Sequence, residues 1–596
     1  MQSISMNGEI REMEVSKPNL YTSMSNLNSQ THTQMANKAD EQTTISNSSS
    51  AVIDPKSGFC STTKTFHSLR PNAPLPPQTT PLSVTHYILS HLQHSPPPHS
   101  TPALLDAATG LRVLYPEFSR RVQSLAFSLQ SQLGLSHGDC AFILSPNSLH
   151  VPVLYLSLFS LGVIVSPSNP ASSIPDLSRQ IRICKPAVAF ATSATAYKIP
   201  NSLRLGTVLL DSAEFESMMT SPAAAEPRLV QVSQSDTATI LYSSGTTGRV
   251  KGVALTHRNW ISTLAGVYAV RSAAAASPQA AVALCTVPFF HVYGVAFCLR
   301  VLAVGDTLAS ISGRFDLEAM MRAIELFRIT HVAWAPPVAV AVVKSGDGNE
   351  TGGYDLSSLQ VIACGGAPLA KSVIDKLKKR LPNVQLAQGY GLTETTARVF
   401  GAVGPEETRV EGANGKLMPN IEAKIVEAAS ETGIGLPPLM QGEIWVRGPC
   451  IMKGYVGDEE ATAAALDSEG WLKTGDLCYI DNDGYLFFVD RIKELIKYKA
   501  YQVAPAELEH LLQSHPDIVD AAVIPYPDEE AGQVPMAFVV RSSGSLVDES
   551  QVKDFIAKQV ATYKKIRRVA FINSIPKSAQ GKVMRKELIK LALSKL

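Results

Sequence analysis

The chain lacks the features that mark several classes of protein. Charged residues make up only 18% of its 596 residues and the formal net charge is +1, so we expect no broad electrostatic attraction to nucleic acid or to an anionic membrane. The eight cysteines form no CxxC pair, which favours buried thiols in a reducing compartment over a disulfide or zinc framework. The longest uncharged apolar run, Val151–Val165, is shorter than the ~20 residues of a membrane span. We predict a buried helix and then a buried strand there.

The first residues have little that could form a core. About half of residues 1–50 are Ser, Thr, Asn or Gln, and such a segment cannot bury enough apolar surface to fold alone. It has no apolar stretch typical of a secretory signal, and its excess of acidic residues argues against a transit peptide. We predict a disordered tail over residues 1–70, followed by an extended strap at Arg70–Pro81.

From about residue 82 to 490, apolar β-branched runs alternate with amphipathic helical patterns, which predicts an α/β fold with layered sheets. In one unit, strand Leu359–Ala363, a helix from Leu369 to Leu381 and strand Val384–Ala387 make a β-α-β crossover. Its strands should be parallel, and the Gly-rich turns that follow them should meet at one carboxyl edge. Open α/β sheets bind ligands at such an edge.

After Val489–Gln502 the pattern changes to a compact α+β unit of ~100 residues. It begins with a helix at Ala504–Gln513, continues through two strands and a helix at Val547–Thr562, and ends with a strand in "RRVAFI". We therefore predict a large domain over residues 71–490 and a small mobile α+β domain over residues 491–596, with the hinge near Arg491–Lys493.

The segment "YSSGTTGRVKG" at Tyr242–Gly252 combines backbone donors, hydroxyls and positive charge. Gly245 and Gly248 let the backbone turn its amides inward around an anion, and Lys251 supplies a compensating charge. A Walker P-loop is excluded, because that motif places its lysine directly after a glycine and opens a helix. Here a strand is predicted to follow instead.

Six motifs occur in order between Ser243 and Leu588: "SSGTTGRVKG", "QGYGLTE", "GEIWVRG", "WLKTGDL", "DRIKELIKYK" and "PKSAQGKVMRKEL". Together they closely resemble the adenylate-forming superfamily, and the acyl-CoA synthetases typified by plant 4-coumarate–CoA ligases are most similar. The resemblance implies a large ATP- and acid-binding domain and a small catalytic lid. It also implies ATP, Mg²⁺ and CoA as cofactors, and a reaction in which an acid is first adenylated and then transferred to CoA.

The resemblance assigns the nucleotide site to three groups of residues. It implies that the β- and γ-phosphates are held by Ser243, Ser244, Gly245, Thr246, Thr247, Gly248 and Lys251. The adenine and the acyl-adenylate are bordered by Gly366, Gln388 and Gly389, with Thr393 at the α-phosphate. Glu394 would bind Mg²⁺, and Asp476 would hold the ribose hydroxyls with help from Arg491.

The same resemblance assigns the residues that act in the two reaction steps. Lys582 would stabilise the adenylation transition state, although an isolated lysine there would more often be a surface charge. Lys493 lies at the expected hinge and Lys497 and Gln502 on the segment that would swing in for thioester formation. The positions that match CoA contacts are Arg314, Lys499 and Ala500.

The segment "PFFHVYGVAF" resembles the acid pocket, with His291 as its gate and Tyr293 as a wall. Hydroxycinnamate-specific members carry polar residues where this chain has Phe297 and Ala363, so we expect no selectivity for 4-coumarate. The expected substrates are cinnamate- or benzoate-type, medium-chain fatty or oxylipin acids. Arg398 is either an anchor for a distal oxygen or a rim arginine.

The sequence ends in Ser594–Leu596, S-K-L, which is a peroxisomal import address read by a receptor. We therefore expect a peroxisomal location, with the import receptor as partner beside the small acid, ATP and CoA. The alternatives are an adenylating enzyme that loads a carrier protein, a luciferase-like oxygenase and a ligand-binding pseudoenzyme. Absence of a carrier domain after residue 588 argues against the first of these, and the intact set of Lys251, Glu394, Asp476 and Lys582 against the last.

Overall fold

The computed structural model describes residues 52–220, 230–243, 250–273, 280–312, 315–345, 353–367, 369, 371–427, 430, 432–499, 501–578 and 581–594, which belong to one compact unit. Across these ranges the strands, numbered in chain order, form four sheets. The fold is of the α/β class with layered sheets, as the alternation of apolar patterns predicts.

The largest sheet is mostly parallel and has the order β17-β16-β15-β14-β13-β11-β12-β3-β4. Its strands are β3 (Pro102–Asp106), β4 (Arg112–Leu114), β11 (Val282–Cys285), β12 (Thr307–Ser310), β13 (His331–Trp334), β14 (Val361–Cys364), β15 (Gln385–Leu392), β16 (Ala397–Gly401) and β17 (Lys416–Leu417). Strands β14 and β15 pair in parallel on either side of a helix at Lys371–Arg380, so the predicted β-α-β crossover is confirmed.

A second sheet has the order β20-β10-β9-β6-β5-β7-β8. Its strands are β5 (Cys140–Leu144), β6 (Ile164–Pro167), β7 (Val188–Ala191), β8 (Thr207–Leu209), β9 (Thr237–Ser243), β10 (Lys251–Thr256) and β20 (Gly454–Tyr455). Strands β9 and β10 pair antiparallel across the loop of "YSSGTTGRVKG", so strands flank this loop on both sides, as predicted. The apolar run Val151–Val165 forms a buried helix followed by β6, which is also confirmed.

The third sheet is antiparallel and has the order β1-β2-β18-β19-β21-β22. Its strands are β1 (Phe59–Cys60), β2 (Thr65–His67), β18 (Glu422–Val426), β19 (Gly442–Arg447), β21 (Leu472–Ile480) and β22 (Leu486–Arg491). We expected a disordered tail up to residue 70, but residues 52–70 belong to the folded body. Burial of Phe66 and pairing of β2 with β18 hold this segment in place.

The fourth sheet lies in the C-terminal part and has a separate apolar core on each face. Its strands are β23 (Ile496–Tyr498), β24 (Tyr501–Val503), β25 (Ile518–Asp528), β26 (Gly532–Arg541) and β27 (Arg568–Phe571). The helix predicted to reach Thr562 ends earlier, at Ala557. After it, Thr562–Lys564 forms a short 3-10 turn that leads towards β27.

The helices connect the strands and cover the sheets. They are α1 (Val84–His94), α2 (Tyr115–Ser131), α3 (His150–Ser160), α4 (Ile174–Cys184), α5 (Ala213–Thr220), α6 (His257–Ala273), α7 (Val292–Ala303), α8 (Leu317–Phe327), α9 (Pro336–Lys344), α10 (Lys371–Arg380), α11 (Gly404–Thr408), α12 (Glu459–Ala465), α13 (Pro505–Gln513), α14 (Glu549–Ala557) and α15 (Arg585–Leu593). One apolar core joins the first three sheets with helices packed between them. Among the described helices, none is both long and apolar enough to span a membrane.

Candidate active site

Glu394 lies in a 3-10 turn directly after β15, beside the ends of β9 and β10. Its Oε1 accepts hydrogen bonds from the hydroxyl of Ser243 at 2.8 Å and from that of Tyr455 at 3.1 Å. The ammonium of Lys251 lies over the Tyr455 ring, 4.3 Å from its centroid. The structure thus brings together three predicted residues, Ser243, Lys251 and Glu394. Tyr455 was not predicted, because it reaches the site only through the pairing of β20 with β10.

Asp476 is a buried carboxylate on β21. Its Oδ2 accepts a hydrogen bond from the hydroxyl of Tyr390 at 2.8 Å, and its Oδ1 lies 3.4 Å from Nε of Arg491, its partner in the β21–β22 ladder. Burial raises the pKa of Asp476, while Arg491, the Tyr390 hydrogen bond and Lys582 oppose this rise. Tyr390 was also missed, although it lies inside the motif "QGYGLTE".

Lys582 enters the same region from the C-terminal part of the chain. The preceding Gly581 has φ +80° and packs on α9, where an added Cβ would lie 2.5 Å from Cδ of Pro337. The Lys582 side chain keeps accessible surface, but surrounding protein atoms displace enough water to lower the pKa of its ammonium. Arg491 acts in the same direction, and the carboxylates of Asp476 and Glu394 oppose the shift. Lys582 therefore interacts electrostatically with both acidic groups.

A cavity of about 340 Å³ lies between α6, α7 and the carboxyl ends of β14 and β15. Its lining includes the predicted acid-pocket residues His291, Tyr293, Phe297 and Ala363, together with Gly366, Gly389 and Arg398. The Tyr293 hydroxyl donates to the carbonyl oxygen of Ala363 at 2.8 Å. The residues that the family resemblance assigns to the acid pocket therefore line the same cavity.

His291 is the N-cap residue of α7, and its Nδ1 accepts the backbone N–H of Tyr293 at 3.2 Å. Burial, and then the charge of Lys582, lower the pKa of His291 to about 4. The imidazole is therefore neutral at pH 7. It lines the cavity, so it can act there as a neutral hydrogen-bonding group.

Gln388, Thr393 and Lys493 are placed near this site by neighbouring elements. Gln388 pairs with Cys364 at the end of the β14–β15 ladder, and Thr393 is buried at the start of the turn that carries Glu394. Lys493 keeps a large accessible surface in a 3-10 turn at Ile492–Glu494, although protein atoms surround part of its side chain. Burial and then Arg491 lower its pKa.

The other predicted residues are placed elsewhere or lie outside the described part of the chain. Lys497 and Gln502 are opposite each other in the exposed β23–β24 hairpin. Lys499, at its turn, forms an ion pair of 2.8 Å with Glu530. None of these three is among the described residues that line the cavity. Those outside the described ranges are Ser244, Gly245, Thr246, Thr247, Gly248, Arg314 and Ala500.

Arg300 is a cavity residue that the sequence interpretation missed. It lies on α7, seven positions after Tyr293 and three after Phe297, so one helical face presents all three. Its guanidinium lies 4.9 Å from the centroid of the Phe297 ring. The helical spacing from Tyr293 could have identified it.

The oxygen donors around Glu394 can be compared with those that Mg²⁺ prefers. Within the described ranges, no three His, Cys, Asp or Glu residues cluster to form a metal site from the protein alone. Mg²⁺ commonly takes one or two carboxylates, with phosphate oxygens and water as the other ligands. The single carboxylate of Glu394, beside Ser243 and Lys251, is compatible with that coordination.

Comparisons with known proteins identify the family of this chain. The family model of AMP-binding enzymes matches residues 93–456, and that of the AMP-binding enzyme C-terminal domain matches residues 507–582. The 4-coumarate–CoA ligase-like 9 protein of Arabidopsis thaliana is 50% identical over 555 residues, which cover 91% of this chain and 98% of that protein. The peroxisomal OPC-8:0-CoA ligase 1 of the same plant is 45% identical over 91% of this chain and 99% of its own.

A solved structure is also similar: o-succinylbenzoate CoA synthetase from Bacillus subtilis in complex with its acyl-adenylate intermediate. It has a TM-score of 0.71 and 25% sequence identity, with 84% of this chain and 97% of that chain covered. Extent and identity of these matches, together with the site described above, lead to one conclusion. The chain belongs to the family of AMP-binding enzymes and is an ATP-dependent acid–CoA ligase of the 4-coumarate–CoA ligase-like group.

Proposed function

We propose that this ligase activates its acid in the cavity beneath α7 and that Lys582, His291, Asp476 and Glu394 form the adenylation site around the cavity mouth. The observation that carries this proposal is electrostatic. The charge of Lys582 acts on both His291 and Asp476, and that of Glu394 acts on Lys582. One cation from the C-terminal part thus interacts electrostatically with a cavity residue and with two carboxylates.

In the first half-reaction, a carboxylate oxygen of the acid attacks the α-phosphorus of ATP and pyrophosphate leaves. Charge spreads over the phosphate oxygens in the transition state, so positioned cations and donors supply most of the catalysis. Lys582 is placed to stabilise that charge, with Thr393 beside the α-phosphate and Lys251, Ser243 and the loop 244–248 at the β- and γ-phosphates. Gly366, Gln388 and Gly389 border the adenylate.

Asp476 is suited to hold the two ribose hydroxyls, because one carboxylate can accept two hydrogen bonds. Tyr390 and Arg491 fix its orientation through the contacts described above. Mg²⁺ on Glu394 would neutralise part of the triphosphate charge.

In the second half-reaction, the CoA sulfur attacks the acyl carbon, the bond to AMP breaks, and the thioester forms. Lys497, Gln502 and Lys499 lie on the β23–β24 hairpin, away from Lys582 on its own loop. We assign this hairpin, with Arg314 and Ala500, to the thioester step, reached by rotation of a small domain (491–596) against the large one (71–490) about Arg491–Lys493. Such gating motions separate half-reactions in many enzymes.

The proposed substrates are aromatic acids of the cinnamate or benzoate type, medium-chain fatty acids or oxylipin acids. Aromatic and aliphatic walls such as Phe297 and Ala363 support this class. A peroxisomal location is supported by the terminal S-K-L and by the relative named a peroxisomal OPC-8:0-CoA ligase. Import would use the receptor that reads this tripeptide.

The deciding experiment is a screen of carboxylic acids in which AMP release is measured with and without CoA. We expect AMP release that requires both an acid and CoA, with pyrophosphate formed in equal amount. Release that CoA does not stimulate would favour a carrier-loading or luciferase-like enzyme. Complete inactivity towards every acid, with ATP still bound, would favour the pseudoenzyme.

A further inference from the structure

We infer that the acid bound in this cavity carries an acceptor-only oxygen group, a ketone or a second carboxylate, at the end away from the reacting carboxylate, and that Arg398 and Arg300 bind this group. The inference rests on the proposed acid-activating function and specifies its substrate.

Two guanidinium groups line the cavity, and the charge of Arg300 acts on Arg398. Both also act on the hydroxyl of Tyr293, which lines the same cavity. Arg398 keeps a large accessible surface, yet burial among protein atoms, and then Arg300, lower its pKa to about 10. The surface that Arg398 exposes therefore faces the cavity, and its guanidinium remains charged at pH 7.

The carboxylates that could neutralise these cations are already engaged. The charge of Asp306 acts on Arg300, but its carboxylate pairs with Arg271 at 3.0 Å. The charge of Glu407 acts on Arg398, but its carboxylate pairs with Arg70 at 2.7 Å.

The cavity itself offers no substitute for those carboxylates. Its lining, as far as the described residues define it, includes no Asp or Glu. His331, which also lines it, has a pKa lowered to about 4 by burial and then by Arg300, so it is neutral. Buried cations without a partner are costly, which makes a ligand oxygen the natural complement.

The position of Arg398 is built into the sheet. Gly389 on β15 and Gly401 on β16 are register partners, and the Arg398 side chain lies across both. An added Cβ at Gly401 would lie 2.5 Å from its Cδ and 2.8 Å from its Nη1, and one at Gly389 would lie 2.8 Å from Cδ. Two facing glycines thus leave the room that the arginine fills beside the cavity.

The donor chemistry determines which ligand group fits. A guanidinium has five N–H donors and no acceptor, so it is matched by an oxygen that only accepts. A carbonyl or carboxylate meets this requirement. A phenolic hydroxyl would leave its own hydrogen to find another acceptor, and a methyl end would leave both guanidiniums unpaired.

The test compares octanoate, its terminal methyl ketone analogue of equal chain length, and octanedioate. For the parent enzyme we expect kcat/KM to be higher by about tenfold or more for one of the two oxygen-bearing acids. Comparison of the methyl ketone analogue with octanedioate shows whether the preferred group is a ketone or a carboxylate. Arg398→Met and Arg300→Met should each lower that preference by about tenfold, through a fall in kcat/KM for the oxygen-bearing acid.

Two further variants separate specificity from folding. Gly401→Ala keeps the charge but displaces the guanidinium, so it should reduce the preference without changing the KM for ATP. Arg322→Met removes an exposed arginine from the outer face of α8 and should change nothing. A second measure of binding is the shift in Tm that each of the three carboxylic acids causes when it is added without ATP.

A parent enzyme that prefers octanoate, or an Arg398→Met variant that lowers kcat/KM equally for all three acids, would overturn the inference. Neither result would affect the proposed ligase function, which fails only if no acid supports CoA-dependent AMP release.

Discussion

Replacing Lys582 with alanine should separate the two half-reactions. The variant removes a single cation that acts on His291 and Asp476 and that is itself influenced by Glu394. Loss of one preorganised group at developing transition-state charge typically costs about 10²–10³ in rate, so we expect pyrophosphate release to fall by that factor. Conversion of a presynthesised acyl-adenylate to thioester should stay within about threefold of the parent, because the β23–β24 hairpin is intact.

The electrostatic consequences of the same change can be measured independently. Without the Lys582 charge, the pKa of His291 should rise, but only partly, since burial is the larger cause of its low value. The pKa of Asp476 should rise as well, because one of the cations that opposes its burial is gone. NMR titration of labelled histidine would follow the first shift.

A matched control lies on the same loop. Lys577 forms an ion pair of 2.7 Å with Asp520 in the C-terminal sheet, so Lys577→Ala should leave both half-reactions near parental rates. Its cost in stability should be at most about 1 kcal/mol, as for other partly exposed pairs. Equal loss of both half-reactions in Lys582→Ala, or a comparable loss in Lys577→Ala, would refute the assignment of Lys582 to adenylation.

The remaining predictions concern stability, the acid pocket and location. His257 is fully buried, and burial lowers its pKa from 6.5 to about 3; it therefore stabilises the fold above pH 6.5, and this stability is lost as the pH falls towards 3. Between pH 7 and pH 5 the free energy of unfolding of the parent should fall by about 2 kcal/mol because of this group. Urea unfolding at the two pH values measures this fall, and an equal fall in a His257→Asn variant would contradict the reasoning. Ala363→Lys should raise the ratio of kcat/KM for 4-coumarate to kcat/KM for cinnamate, since an ammonium can pair with the phenolic oxygen. An unchanged ratio would show that position 363 does not face the hydroxyl-bearing end of the substrate ring. Deletion of Ser594–Leu596 should abolish peroxisomal import in cells and leave activity unchanged, and persistent punctate localisation would show that another signal acts.

Local sequence indicates geometry where a residue's neighbours in the chain are also its neighbours in space. Glu394 follows a strand within its own motif, and Asp476 and Arg491 pair across adjacent strands, so a short pattern contains the essential geometry. Tyr455 and Arg300 reach their sites through long-range packing of β20 on β10 and of α7 over β12. No local pattern fixes such packing, although the helical spacing of Arg300 from Tyr293 gave a usable signal.

Fold boundaries were less predictable for a related reason. The strands at Phe59–Cys60 and Thr65–His67 are too short to show a periodic pattern, and they are stable only because they extend an existing sheet. Helix α14 begins at a capping box in which Asp548 and Gln551 bond reciprocally. The helix ends at Ala557, five residues before the 3-10 turn at Thr562–Lys564, and the apolar pattern alone does not show this end.

The contact made by Arg70 has a consequence for how this protein can be shortened or recombined. Arg70 donates to the carbonyl oxygen of Gly401 and holds Glu407 in an ion pair. Because Glu407 is bound to Arg70, it does not pair with Arg398. A chain that starts at residue 71 would release Glu407, which could then turn and neutralise Arg398. Exchange of the N-terminal segment up to Arg70 between relatives would thus alter which acids are accepted. This would occur even though no residue of that segment lines the described cavity.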